Sequence, residues 1–252
     1  MRPPIATIPA PAFPTEAEWI NSEALRTDRL GGREEPVALL IEFWDFCRVN
    51  SLRTLPYLRA WHERYANSGL RLVGAHASGF EPSRDPEAVR AAVGRLQIRY
   101  PVMIDAAFEL WQAFGVNGWP SRYLFGGALT LEDFHIGEGG YLETERAIQR
   151  LLHVDREPLA PLRPEDEPDA ELVPQSADQP GPWSGRYAAG GVWGVLEGEG
   201  VAHANGRTIA VSYPGCYALV EHARHTENEL ELELEAGVSC HAVCFTPGLA
   251  PR

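Results

Sequence analysis

The hydrophobic periodicity of this chain changes once along its length, and that change limits its fold more than any other feature. Between residues 37 and 153, short apolar runs alternate with segments of helical spacing. From residue 183 onward the period is two, and residues 230–235 alternate leucine with glutamate. Alternating strands and helices favour a mixed sheet flanked by helices, whereas a period of two favours antiparallel strands. We therefore predict an α/β domain followed by a small all-β domain.

The first domain is predicted over residues 15–153, after an extended arm over residues 1–14 that contains five prolines. Residues 14–19 are predicted to open a short helical turn. Strands are predicted at residues 37–43, 70–76, 100–104, 121–125 and 131–136, the last two as a hairpin pair. Helices are predicted at residues 51–66, 107–114 and 141–153, with a further one that begins near residues 85–87.

A segment of different composition separates the two domains. Residues 154–182 contain seven prolines and eight acidic residues against two arginines, which predicts a solvated linker stiffened by proline. In residues 183–252, the Asn205-Gly206 pair between two apolar runs is typical of a type I′ hairpin. We expect about six antiparallel strands there, in a β-sandwich or jelly-roll-like arrangement.

Charge and composition exclude several kinds of partner. The formal net charge is −13 and all 22 basic residues are arginine. This balance argues against nucleic acid and against an anionic membrane surface as partners, and the absence of lysine removes Schiff-base chemistry. The longest apolar run, residues 37–41, is too short to span a bilayer.

The N-terminal segment lacks the apolar stretch of a signal peptide, so we predict a cytoplasmic protein. Four cysteines are too few and too unevenly placed for a disulfide scaffold. Cys240 and Cys244 are expected on the same face of one strand, about 13 Å apart, which forbids a disulfide between them unless the strand has a bulge. We predict that these two cysteines and Cys216 are buried apolar residues. No metal site and no cofactor are predicted.

Three segments carry a resemblance to a known family. Residues 43–58 read FWDFCRVNSLRTLPYL, residues 115–124 read GVNGWPSRYL and residues 137–141 read GEGGY. In this order they resemble the thioredoxin superfamily, in particular its TlpA/DipZ-type redoxins, over roughly residues 13–153. The resemblance implies a thioredoxin-like fold for residues 15–153 and a cis peptide bond between Trp119 and Pro120. Some relatives also carry a β-sandwich after the redoxin domain.

The departure from the family lies at its two cysteines. They align with Arg48 and Ser51, so Arg48-Val49-Asn50-Ser51 replaces the C-x-x-C motif. Dithiol exchange needs an attacking thiolate and a resolving thiol, and neither an arginine nor a serine supplies one. The resemblance therefore implies a redoxin with a degenerate active site that does not catalyse ordinary disulfide exchange.

Cys47 and Arg48 each have two interpretations. Cys47 either forms a reactive thiolate near a helix N-terminus or packs as a small apolar residue beside Trp44. Arg48 either helps to bind an anion at that helix N-terminus or extends into solvent.

In the thioredoxin fold, the segment around the cis-proline faces the start of the first long helix. The predicted cleft is lined by Trp44, Asp45, Arg48, Asn50, Ser51, Trp119 and Pro120. We expect it to bind a peptide, a thiol compound or a small anionic ligand. The alternative is an enzyme, a monothiol oxidoreductase or peroxidase that acts through Cys47. A homodimer is also possible.

Overall fold

The computed structural model describes residues 7–30 and 37–251. These residues form two compact units. The first comprises the described residues up to Asp45 together with Asn50–Ser78 and Val89–Ala160. The second comprises Phe46–Val49, Gly79–Ala88 and the described residues from Pro161 onward.

The first unit contains a six-stranded mixed sheet with the strand order β1-β4-β3-β2-β5-β6. Its strands are β1 (Glu18–Ile20), β2 (Ala38–Trp44), β3 (Leu70–His76), β4 (Val102–Ile104), β5 (Ser121–Phe125) and β6 (Leu131–Ile136). Strands β2, β3 and β4 are parallel, and β1, β5 and β6 pair in the antiparallel sense. The helices are α1 (Val49–Tyr65), α2 (Pro86–Arg95), α3 (Glu109–Phe114) and α4 (Tyr141–Leu152). This arrangement confirms the predicted mixed sheet with flanking helices.

One local prediction in this unit is wrong. The segment expected to open a helical turn instead contains β1, which pairs with β4 from Glu18↔Ile104 to Ile20↔Val102. Backbone groups at the exposed edge of β4 accept this partner, and a three-residue strand is too short to reveal a period of two in the sequence.

The described part of the predicted N-terminal arm lies along β6. Pro9 forms an isolated bridge with Thr130, and the Leu131 amide donates to the carbonyl of Ile8 at 2.8 Å. Phe13 is buried and its ring packs edge-on against Trp19. Residues 1–6 of that arm lie outside the described residues.

The second unit is built from short antiparallel sheets. Its strands are β7 (Leu172–Val173), β8 (Gln179–Pro180), β9 (Gly185–Gly198), β10 (Gly200–Ala204), β11 (Arg207–Val211), β12 (Gly215–Leu230), β13 (Leu232–Leu234), β14 (Val238–Thr246) and β15 (Gly248–Leu249). They form sheets in the orders β12-β9-β14-β8, β11-β10-β13 and β15-β7. The all-β class predicted for the C-terminal region is confirmed.

The turn between β10 and β11 has the backbone that the Asn-Gly pair predicts. Asn205 has φ 48° and Gly206 has φ 77°, so both central residues take the left-handed conformation of a type I′ turn. The alternating register of Ala202↔Ile209 and Ala204↔Arg207 follows from this turn.

The stretch predicted as a linker contains fixed backbone at both ends. Near its start, the Leu159 amide donates to the Glu145 carboxylate at 2.9 Å and Gln149 donates to the Arg156 carbonyl at 2.9 Å. Near its end, β7 pairs with β15 and β8 pairs with β14. Proline-rich composition does not reveal such pairings, because each involves only two residues.

Candidate functional site

The loop between β2 and α1 is tied to the first turn of the helix by Ser51. The backbone N–H of Asp45 donates to Ser51 Oγ at 3.2 Å, and both residues are buried. One turn later, the Thr54 hydroxyl donates to the Asn50 carbonyl at 3.0 Å. The Ser51 hydroxyl therefore binds the backbone of the loop that precedes the helix.

Asp45 also faces a histidine that sequence reasoning did not select. His76 Nε2 lies 3.6 Å from Asp45 Oδ1, and both side chains are buried. The His76 ring packs edge-on against Trp44, with the ring centroids 5.2 Å apart. Trp44 and His76 are register partners at the carboxyl ends of two parallel strands. That shared edge is the signal that could have identified His76 from the sequence.

The peptide bond between Trp119 and Pro120 is cis, as the resemblance predicts. The indole N–H of Trp119 donates to the Ala77 carbonyl at 2.8 Å, and the Ala77 amide donates to the Trp44 carbonyl at 3.2 Å. These bonds join the segment before β5 to the ends of β2 and β3. Six predicted site residues therefore lie in the first unit, namely Trp44, Asp45, Asn50, Ser51, Trp119 and Pro120.

Two predicted site residues, Cys47 and Arg48, fall in the second unit. The Cys47 side chain is completely buried. Arg48 is half-buried; its guanidinium lies 4.3 Å from the centroid of the Phe80 ring, and Nη2 donates to the Gly79 carbonyl at 3.4 Å. Arg48 therefore stacks on an aromatic ring and does not extend freely into solvent.

A buried acid and a buried base lie side by side in the middle of the sheet of the first unit. Glu42 Oε2 on β2 lies 4.0 Å from Arg122 Nε on β5. Burial raises the pKa of Glu42 to about 8, although the Arg122 charge acts in the opposite direction. Glu42 lies inside a strand that the sequence predicts to be apolar. Its neighbour Arg122 could not be predicted, because the pairing depends on the register between β2 and β5.

None of the four cysteines is in a disulfide, so the structure contains no disulfide of the C-x-x-C type; Cys216 is half-buried and the other three are buried. Burial raises the pKa of Cys240 to about 11 and that of Cys244 to about 12, the latter with a further contribution from the Asp178 carboxylate. The expectation that these two cysteines share a face is wrong. A bulge between Cys240 and Ala242 places Cys240 opposite Leu196 and Cys244 opposite Trp193, which point to different faces of β9.

Within residues 7–30 and 37–251, no three His, Cys, Asp or Glu side chains come together as a metal site. Over the same ranges, none of the helices combines the length and the apolar character needed to cross a membrane.

We compared the sequence of this chain with those of known proteins. No family model matches the chain. It is 28% identical over 181 residues to the protein DipZ of Mycobacterium tuberculosis, an alignment that covers 69% of this chain. It is 26% identical over 144 residues to the thiol-disulfide oxidoreductase YkuV of Bacillus subtilis, covering 57% of this chain and 94% of YkuV. The chain spans only 26% of the length of DipZ.

The solved structures agree with these relatives. The solution structure of a thioredoxin-like protein in its oxidised form superposes with a TM-score of 0.52 and 25% identity, covering 59% of this chain and 97% of that protein. The cis-proline and the six-stranded mixed sheet lie in the first unit, which holds the thioredoxin-like fold. The first unit therefore has a thioredoxin-like fold, and the chain is similar to thioredoxin-like redoxins over that unit.

Proposed function

We propose that this protein uses the thioredoxin-like site for binding and not for dithiol exchange, and that its ligand is a peptide, a thiol compound or a small anion. The observation that carries the proposal is the pair Arg48 and Ser51 at the positions of the family's cysteines. Ser51 is already engaged with the Asp45 amide, which supports a structural role for its hydroxyl.

The chemistry of the two side chains supports this proposal. Disulfide exchange moves two electrons as two thiols become one disulfide, and each step forms or breaks a sulfur–sulfur bond. The hydroxyl of Ser51 forms no such bond, and the guanidinium of Arg48 is not a nucleophile. A mixed disulfide formed elsewhere on the protein would have no resolving thiol at this position.

Arg48 in the second unit and Asn50 in the first unit each offer a polar group to a ligand. Arg48 carries a positive charge beside the first turn of α1, where a carboxylate or phosphate is also favoured by the helix dipole. The side-chain oxygen of Asn50 is buried and accepts no hydrogen bond within the described residues. That oxygen is available to an N–H donor, such as a peptide backbone or a protonated amine.

The alternative is a monothiol oxidoreductase that acts through Cys47. Its complete burial weighs against this alternative, because thiolate chemistry requires access for the oxidant or the partner thiol. Iodoacetamide labelling at pH 6 separates the two functions. Binding without thiol chemistry predicts that Cys47 stays unlabelled until the protein unfolds, and rapid selective labelling of Cys47 would favour the enzyme.

A restored motif tests the central claim. The double variant Arg48→Cys/Ser51→Cys recreates the family's pair at the same positions, and we expect it to catalyse insulin reduction by dithiothreitol. The wild-type protein and the single variant Ser51→Cys should show only the uncatalysed rate. Turnover of insulin by the wild type at the rate of the double variant would overturn the proposal.

Ligand classes are separated by thermal unfolding of the full chain with glutathione, inorganic phosphate or a neutral extended hexapeptide. Arg48→Gln should abolish the shift caused by phosphate and leave that caused by the neutral peptide. A phosphate shift that is equal in the wild type and in Arg48→Gln would exclude the anion as the ligand of this site.

A further inference from the structure

The interior of the first unit contains a polar row that the proposed binding site does not use. Glu42 on β2 is the register partner of Gly74 on β3 and of Arg122 on β5, so the three residues lie side by side across the sheet. Glu42 is 0% exposed and Arg122 is 1% exposed. Their closest approach of 4.0 Å is too long for a hydrogen bond.

The arginine of this row keeps unused donors. Nη2 of Arg122 donates to the Gly139 carbonyl, while Nε and Nη1 have no hydrogen-bond partner within the described residues. The guanidinium carbon lies 5.8 Å from the centroid of the Trp61 ring of α1 and 5.1 Å from that of Tyr141 of α4. Neither carboxyl oxygen of Glu42 has a hydrogen-bond partner among the described residues.

Further donors border the same row. The indole N–H groups of Trp44 and Trp61 and the hydroxyl of Tyr100 are buried and make no hydrogen bond among the described residues. A side-chain carbon at Gly74 would lie 3.0 Å from Trp44 Nε1 and 3.1 Å from the Tyr100 ring. The absence of a side chain at Gly74 thus lets both rings reach the row beside Glu42.

The buried donors of this region lack a hydrogen-bond acceptor among the described residues. Leaving a buried donor unpaired costs about 1–3 kcal/mol, and more when the group is charged. The raised pKa of Glu42, about 8, keeps this carboxyl protonated at neutral pH. Arg122 then lacks a neutralising charge from Glu42, and the arginine and the two indoles can only donate.

We propose that Glu42, Trp44, Trp61, Tyr100 and Arg122 form an internal binding site for a small monovalent anion of the halide class. A halide accepts several hydrogen bonds at once and neutralises the guanidinium, which a water molecule does not. This site is separate from Arg48 and does not depend on the function proposed above.

Ionisation of Glu42 competes with the anion, because the carboxylate then becomes the counter-ion of Arg122. The other titratable groups that face this region are Tyr141 of α4, Tyr100 before β4, Arg59 and His62 of α1, and His135 of β6, which is the register partner of Arg122. Burial lowers the pKa of His62 and of His135 and raises that of both tyrosines, so none of these four groups changes charge between pH 7 and pH 9. Halide binding should therefore weaken as the pH rises through the titration of Glu42.

Thermal unfolding of the full chain tests the site, with sodium bromide compared with sodium gluconate at equal ionic strength. At pH 7, a bromide concentration ten times the Kd should raise Tm by roughly 3–5 °C. Arg122→Gln should abolish this shift, whereas Arg99→Gln, which removes an exposed guanidinium, should retain it. At pH 9 the shift should shrink in the wild type and persist in Glu42→Gln, which cannot ionise.

Crystals grown with bromide provide a direct reading and do not depend on Arg122→Gln being folded. An anomalous peak between Glu42 and Arg122 in wild type and in Glu42→Gln would establish the site. Equal Tm values in bromide and gluconate, or ordered water without an anomalous peak, would overturn the proposal. Arg48→Gln serves to separate the two sites, because it should lose the phosphate shift and keep the bromide shift.

Discussion

The two units bury different kinds of side chain. In the first unit, six acidic or basic side chains are almost completely buried, namely Glu42, Asp45, His76, Asp105, Arg122 and Glu145. The core of the second unit is built from hydrocarbon side chains such as Leu196 and Phe245, and its buried polar residues among those described are Ser83 and Thr246. Buried charges are costly unless they are paired, so the first unit carries an electrostatic cost that the second unit does not.

The buried charges of the first unit are themselves of two kinds. Glu145 accepts from Tyr65 and from the Leu159 amide, and Asp105 accepts from the amides of Leu110 and Trp111 at the start of α3. Glu42 has no such partners. A buried carboxylate with all its hydrogen bonds stabilises the fold. A buried carboxylate without them lowers the free energy of unfolding, and a bound ligand or a proton can offset that loss.

The largest effect is expected for Glu145→Ala. This change leaves the Tyr65 hydroxyl and the Leu159 amide without their acceptor and Arg64 without its ion-pair partner at 3.3 Å. We expect the free energy of unfolding to fall by about 3–5 kcal/mol in urea titrations. Glu143→Ala on the exposed face of α4 is the control and should cost less than about 0.5 kcal/mol. Equal losses in the two variants would contradict the structural role of Glu145.

Glu42→Gln should change the pH dependence of stability. The folded pKa of about 8 lies above the ordinary value of 4.5, so the native state holds an extra proton between these values. Wild-type stability is therefore lost as the pH rises from about 4.5 towards 8, and the glutamine variant lacks this loss. Between pH 5 and pH 9, the variant should gain about 3–4 kcal/mol relative to wild type. Parallel pH profiles of the two proteins would show that Glu42 is ionised throughout.

Leu196→Ala tests the apolar core of the second unit. Leu196 is completely buried, and its truncation removes core contacts and leaves a cavity. We expect a loss of about 3 kcal/mol that is the same at pH 5 and pH 9, because no charged group is involved. The exposed Glu233→Ala on β13 provides the control. If the stability lost in Leu196→Ala depended strongly on pH, the core of the second unit would not be purely apolar, unlike what the structure indicates.

The smallest effect is expected for Ser51→Ala, which removes one acceptor from the Asp45 amide. The loss should be about 1–2 kcal/mol, since one buried N–H loses its partner. Ser51→Cys should recover part of this stability, because a thiol is a weak acceptor of similar shape. A loss below the error of urea titration for Ser51→Ala would show that the hydroxyl does not fix the loop.

The sequence predicted what depends on local pattern. The period of apolar residues located β2, β3 and α1, and the Asn205-Gly206 pair specified its turn. The resemblance added the cis bond at Pro120, which no local propensity indicates.

Pairings between distant strands could not be predicted. Three features depend on the register between segments far apart in the chain. They are the pairing of β1 with β4, the bulge after Cys240, and the approach of Glu42 to Arg122. A charged residue inside an apolar strand is a local signal, but its partner is set by the fold. His76 could have been found, because strands β2 and β3 are parallel and end at the same edge.

The unreactive state of two native thiols has a practical consequence. Cys240 and Cys244, with pKa values of about 11 and 12, are protonated and buried at neutral pH. Neither should form a background signal when a maleimide dye is attached to a cysteine introduced on the surface. Cys216 is only half-buried, so it is the native thiol that would compete, and Cys216→Ser removes it. With no lysine side chains to compete for amine-reactive reagents either, that variant is well suited to single-site fluorescent labelling.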